Sequence, residues 1–153
     1  MKHIQTIYYA AITSLFLFTC NTHSNTITAE ISFGELIDKI TILTIKSERI
    51  TNQEKLKNIH TELTSLQKTC DQYIGKRNDI AQLQALLKKI NAELWDIEDA
   101  IRIKERKKEF DDEFIAIARS VYITNDQRFA VKKEIDTLLG SSITEQKSYE
   151  EFS

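Results

Sequence analysis

Three polar groupings in this chain have residue types that could do chemistry. The first is Glu35, Asp38 and Lys39. The second is Glu98, Asp99, Arg102 and Glu105, in which 98, 102 and 105 share one helical face. The third is Arg119, Ser120, Tyr122, Asn125, Asp126 and Arg128, set between apolar segments. Carboxylates facing one another across a pocket can act as general acid and base. Arg119, Arg128 and Lys147 together could instead hold an anion. Each grouping also has a plainer explanation. Glu and Arg three or four apart make surface pairs worth a few tenths of a kcal/mol. Thr124-x-x-Gln127 reads as a helix-capping box, with Asn125 or Asp126 able to serve the same end. On that reading Thr124, Asn125 and Asp126 punctuate two helices, and Arg119 and Tyr122, three apart, share the face that remains to be explained.

Composition removes several function classes. Only Gly34, Gly75 and Gly140 occur, and each falls where a helical pattern starts or stops, so no glycine remains for a phosphate-cradling loop. A net charge of -2 offers no electrostatic basis for binding nucleic acid. Cys20 and Cys70 make neither a disulfide framework nor a C-x-x-C pair. Of His3, His23 and His60, only the last lies in the body, so neither a histidine metal site nor a di-iron bundle motif is present. No cofactor is called for. No nucleophile stands beside a base, and Cys70 occupies an apolar seam where an inert thiol is expected. The expectation is a protein that is not an enzyme.

The elements that must position these residues are helical. The absence of Pro and the abundance of Leu, Ile, Lys and Glu favour long helices. Ser32-x-x-Glu35 is a capping box that opens a helix through Ile50, although the β-branched run "ITILTI" leaves a strand as the alternative. The wide apolar surface of that helix calls for contacts on more than one side. Thr51-x-x-Glu54 offers a second box. Leu56, Ile59, Leu63, Leu66, Cys70 and Tyr73 then form a heptad seam that Gly75 closes. Ile80, Leu83, Leu87, Ile90, Leu94, Ile97 and Ile101 form a second seam. Two seams joined by a short turn predict an antiparallel coiled-coil hairpin with arms at about 52–74 and 79–108, roughly 30–35 Å long. In it Tyr73 lies near Ile80, Leu66 near Leu87, and Leu56 near Ile97. The change from basic 102–108 to acidic 111–113 marks one helix ending and another beginning, with a continuous kinked helix as the alternative. Two short helices, one on each side of the Thr124–Asp126 segment, complete the body. Phe33, Trp95, Phe110, Phe114, Tyr122, Phe129, Tyr149 and Phe152 all map away from the hairpin turn. The predicted architecture is therefore all-α: a long hairpin projecting from a small helical base made of 32–50 and 109–153.

Residues 1–26 differ from this body. Lys2 is their only formal charge, ahead of an apolar run from Ile4 to Phe18 and a polar small-residue end, the outline of a signal peptide or N-terminal anchor. A mis-called start near Ile27 is the alternative. The run is too short and interrupted for a stable membrane span. Localisation follows the leader: exported or envelope-associated if it is real, otherwise cytoplasmic. Any membrane contact would be made through the leader alone.

The blocks GELIDKITIL, LWDIEDAIRIKE, ARSVYITND and EQKSY, in this order from about Ile31 to Phe152, resemble an uncharacterised bacterial family known as a domain of unknown function. The resemblance implies no activity. It implies an association with glycosyltransferases and other surface-polysaccharide functions. By position it marks Glu35, Asp38, Lys39, Trp95, Glu98, Asp99, Arg119, Tyr122, Asn125, Asp126, Lys147 and Tyr149. Two readings follow. In the first, this is a small helical interaction or scaffold protein that meets a protein partner, or a second copy of itself, through its helices. In the second, it is a small-anion or glycan-related binding protein or enzyme that uses the polar cluster, with Arg119, Tyr122 and Glu98 in a concave pocket.

Overall fold

A computed structural model of the chain describes residues 26–150. The leader, apart from Thr26, and Phe152 lie outside the described residues. Four helices run α1 Phe33–Arg49, α2 Gln53–Tyr73, α3 Asn78–Lys107 and α4 Asp112–Leu139, with no strand among the described residues. The run "ITILTI" is helical, and Thr41 and Thr44 satisfy their hydroxyls on the backbone carbonyls of Asp38 and Ile40.

The helix ends follow local chemistry. Ser32 Oγ accepts from the Glu35 amide at 3.1 Å. Only half of the expected box forms, because the Glu35 carboxylate turns to Lys132 instead. Asn52, not Thr51, caps α2 by accepting from the Lys55 amide at 3.0 Å. Gly75 and Gly140 have φ of 66° and 64°, the left-handed conformation that ends α2 and α4. Between α3 and α4, Lys108 takes φ 61°, and Asp111 then accepts from the Phe114 amide at 2.9 Å. The charge reversal therefore does mark a boundary.

The tertiary arrangement departs from the expected hairpin. No residue of α2 lies within 8 Å, Cα to Cα, of any residue of α3. Helix α1 packs against α2, α3 and α4, and α3 packs against α4. Its Leu36 and Ile40 join Cys70, with Leu63 and Leu66 of α2 against them. Its Ile37 joins Ile80, Leu87, Ile90 and Leu94 of α3 and Val131 and Ile135 of α4. Most of both heptad seams is thus covered at least in part, Tyr73 being the exposed exception, but largely against α1 and α4 rather than against each other. The physical reason is that a seam specifies which face is covered and leaves the partner open. Helix α1 is apolar on two sides and must be covered on both. The result is two antiparallel helical hairpins, α1–α2 and α3–α4, with α1 as the shared central element. Helices α3 and α4 are about 45 and 42 Å long.

Two further expectations are corrected. Helix α4 runs unbroken through Thr124, Asn125 and Asp126, with Thr124 buried. No Gly or Pro interrupts the segment, and instead of capping a helix end the Asn125 side chain accepts from Arg128 of the same helix while the Asp126 side chain accepts from Lys147. The aromatics do not gather in one base. Phe33 packs on the cluster that contains Ile80, whereas Phe110 is exposed beyond the other end of α3.

Candidate functional site

Where α1 crosses α4, glycine lets the backbones meet. A Cβ on Gly34 would lie 2.5 Å from the Lys132 carbonyl oxygen. The Gly34 amide donates to Asp136 Oδ1 at 2.6 Å, so a buried side chain of α4 serves the start of α1. One turn along, Asp38 is buried and accepts from Arg128 Nε at 2.8 Å and Asn91 Nδ2 at 2.8 Å. Arg128 Nη2 bonds the second oxygen of Asp38. Asn91 also donates to Thr41 Oγ1 at 2.9 Å. Hydrogen bonding to Asp38 holds the Arg128 guanidinium above its ordinary pKa. This network joins α1, α3 and α4. No buried side-chain polar atom lacks a partner among the described residues.

Lys132 lies between the two, at 2.6 Å from Glu35 and 2.7 Å from Glu145. Burial opposes its charge, but hydrogen bonds to Glu145 and Glu35 outweigh that cost and raise its pKa. Glu145 belongs to the segment after Gly140, which folds back along α4. Two residues later, Lys147 Nζ reaches the Asn125 carbonyl at 3.3 Å and Asp126 Oδ1 at 3.4 Å. It also sits over the Phe129 ring, 4.8 Å from the centroid, and 5.8 Å from that of Tyr149.

Between α4 and this returning segment lies an open cleft of about 990 Å3. Val121, Tyr122 and Phe129 provide apolar surface, Asn125, Asp126, Arg128 and Lys132 line the α4 side, and Glu145, Lys147, Tyr149 and Glu150 form the opposite wall. Among the described residues no Cys or His lines it. Cys70 is buried elsewhere, against α1, where desolvation raises its thiol pKa and so disfavours the nucleophilic thiolate.

Of the sequence-selected residues, Tyr122, Asn125, Asp126, Lys147 and Tyr149 line the cleft, and Glu35 and Asp38 reach its Lys132 and Arg128 from α1. The others lie apart. Lys39 pairs with Glu62 at 2.8 Å on the exposed α1–α2 surface. Glu98 and Arg102 form an exposed pair one turn apart, and Trp95 Nε1 donates to Asp99. Arg119 is exposed and does not line the cleft. Glu35 and Glu98 therefore do not converge on Arg119. Lys132, Asp136 and Glu145 were missed. The signal was the spacing of Arg128, Lys132 and Asp136 by four, which reads as an ordinary solvated stripe until Gly34, Glu35 and Asp38 are set opposite it.

The model of a family of unknown function, DUF6165, matches residues 27–152. The chain belongs to this family. No curated protein and no solved structure matches it. The DUF6165 match takes in all four helices and the returning segment, so both walls of the cleft lie within it. Among the described residues no group of three or more His, Cys, Asp or Glu is placed to hold a metal ion, and no helix is long and apolar enough to cross a membrane.

Proposed function

We propose that this DUF6165 chain is a non-catalytic binding protein whose ligand occupies the cleft between α4 and the C-terminal segment. The observation that carries this reading is the cleft's make-up: aromatic surface from Tyr122, Phe129 and Tyr149, bordered by polar groups that are mostly engaged with one another. Ligand sites commonly combine apolar walls with a few fixed polar groups. An anion is poorly served here. Arg128 is held by Asp38, Lys132 by Glu35 and Glu145, and Lys147 by Asp126, so an anion would have to displace a carboxylate from each cation. A ligand with a flat apolar face and hydroxyl or amine groups fits better. It can stack on the rings and donate to Asp126 and Glu150. A saccharide ring has that character, and a role beside surface-polysaccharide synthesis is the wider form of the same proposal.

The test is an amide-resolved NMR titration of the full chain with neutral mono- and disaccharides, n-butylammonium and inorganic phosphate. The expected result is perturbation of amides in 121–129 and 145–150 by a neutral or cationic probe. A response to phosphate alone, or to none of the probes, would overturn the reading.

A second reading rests on a different surface. Ile103, Phe110 and Ile115 are all exposed around the α3–α4 connection. This apolar patch favours contact with a second copy of the chain. Sedimentation velocity decides it: a dimer that Phe110→Ser together with Ile115→Ser dissociates supports it, and a monomer at all concentrations removes it.

A further inference from the structure

We propose that the cleft contains an alkylammonium-binding site, and that the chain's own Lys147 is its resident occupant. This inference rests on the cleft reading above and gives the ligand its chemical class. Lys147 Nζ meets four partners: the Asn125 carbonyl at 3.3 Å, Asp126 Oδ1 at 3.4 Å, the Phe129 ring at 4.8 Å and the Tyr149 ring at 5.8 Å. A carbonyl, a carboxylate and aromatic faces are the groups that recognise an ammonium ion. They also repel anions, because the ring faces carry negative charge density.

Three of the four partners, Asn125, Asp126 and Phe129, stand on α4 within one turn of one another. They belong to a helix whose backbone does not depend on the C-terminal segment. Only Tyr149 travels with Lys147. The Asn125 carbonyl and Asp126 contacts are both at the long end of the hydrogen-bond range, so Lys147 is a loose occupant. The cleft around it is far larger than one lysine side chain. An external primary amine can therefore take over the α4 partners as the Lys147 ammonium leaves. The exchange replaces one cation by another and leaves the charge of the site unchanged. Arg128 cannot fill the vacated place, because its guanidinium is bound in two places to Asp38.

The experiment uses the full chain with Lys147→Ala and, independently, Lys147→Ser, each checked for native helicity by circular dichroism. The probe is n-butylammonium, with n-butanol as its uncharged counterpart, read by amide shifts. Both variants should bind n-butylammonium, with shifts centred on Asn125, Asp126 and Phe129. The wild type should bind it about tenfold more weakly, the factor for a site that its own chain leaves open one tenth of the time. Adding Asp126→Asn to Lys147→Ala should weaken the amine about tenfold, the effect of one lost charge-assisted contact. Equal binding of n-butanol would overturn the proposal, since it would show an apolar slot without ammonium recognition. So would folded variants that bind no amine. If these still respond to a neutral saccharide, the cleft reading stands and only the ammonium site fails. If they respond to neither probe while the wild type does not respond to a saccharide, both readings fail.

Discussion

Asp38 and Arg128, 90 residues apart in the chain, form a two-pronged ion pair that fastens α1 to α4. The Asp38 side chain is buried at 1% exposure, while the Arg128 side chain retains 27% and lines the cleft. Removing one partner of such a pair costs more than the pair contributes, because a buried charge is left behind. Arg128→Met should therefore destabilise the protein by about 3 kcal/mol. Asp38→Asn, which keeps an acceptor for Asn91, should cost about 1–2 kcal/mol. Joint replacement by Asp38→Leu and Arg128→Met should recover much of the loss. Urea denaturation of the three variants tests this. An Arg128→Met protein as stable as the wild type would show that the pair does not secure the crossing.

The α1–α4 crossing makes a separate prediction at Gly34. A methyl group there would meet the Lys132 carbonyl oxygen at 2.5 Å, and backbone cannot swing aside as a side chain can. Gly34→Ala would ordinarily favour a helix. Here it should destabilise by about 2 kcal/mol through overpacking and lengthening of the Gly34–Asp136 bond. A gain in thermal stability would mean that the helices lie farther apart than described.

The place of α1 can be tested by covalent trapping. The heptad seams set Leu66 opposite Leu87, yet no α2–α3 pair comes within 8 Å, Cα to Cα. A disulfide needs Cα atoms roughly 4.4–6.8 Å apart. In a chain with Cys20→Ser and Cys70→Ser, Leu66→Cys with Leu87→Cys should stay reduced under mild oxidation. Rapid intramolecular crosslinking, read by gel mobility, would restore the simple coiled-coil hairpin.

Acid should act on the α3–α4 connection. The Phe114 amide and Lys104 both donate to Asp111 and hold its carboxyl below the usual range. A lowered folded pKa stabilises the fold above the unfolded value of about 3.9. That contribution is lost as pH falls through the folded value. Lys104, raised by Glu113 and Asp111, behaves in the opposite sense: its contribution is present at neutral pH and is lost only in strong alkali. Asp111→Ala should lower the urea midpoint at pH 7 and make less difference at pH 3. A gap between the two proteins that does not change with pH would remove Asp111 as the titrating cap.

The legibility of the fold differed from element to element. Ser32, Gly75 and Gly140 mark helix ends through effects that operate within one turn, and so does the charge reversal around Lys108. Leu87 could be placed in a buried seam by periodicity alone. Thr124, Asn125 and Asp126 suggest a helix boundary because the side chains that cap a helix can also sit mid-helix, where Thr124 is buried, Asn125 meets Arg128 and Asp126 meets Lys147. The stretch between Asn125 and Tyr149 was partly legible as polar and aromatic, but its use as one wall of a cleft was not, since Lys147 reaches it only after the chain reverses at Gly140.

By itself, then, the sequence, although it divided α4 in two, determined a body built of amphipathic helices, most of their ends and which faces had to be covered. These follow from spacing, from capping and from the conformational cost of a Cβ at positive φ. Tertiary structure decided what covers each face. A seam of Leu and Ile buries equally well against any complementary seam, and α1, apolar on two sides, took up surface from both α2 and α3. That choice set Gly34 against Lys132 and Asp38 against Arg128, and it left the adjoining surface of α4 to the returning C-terminal segment, so that Lys132 meets Glu35 and Glu145 together. The cleft results from this partition, because its two walls become neighbours only when the whole chain is folded.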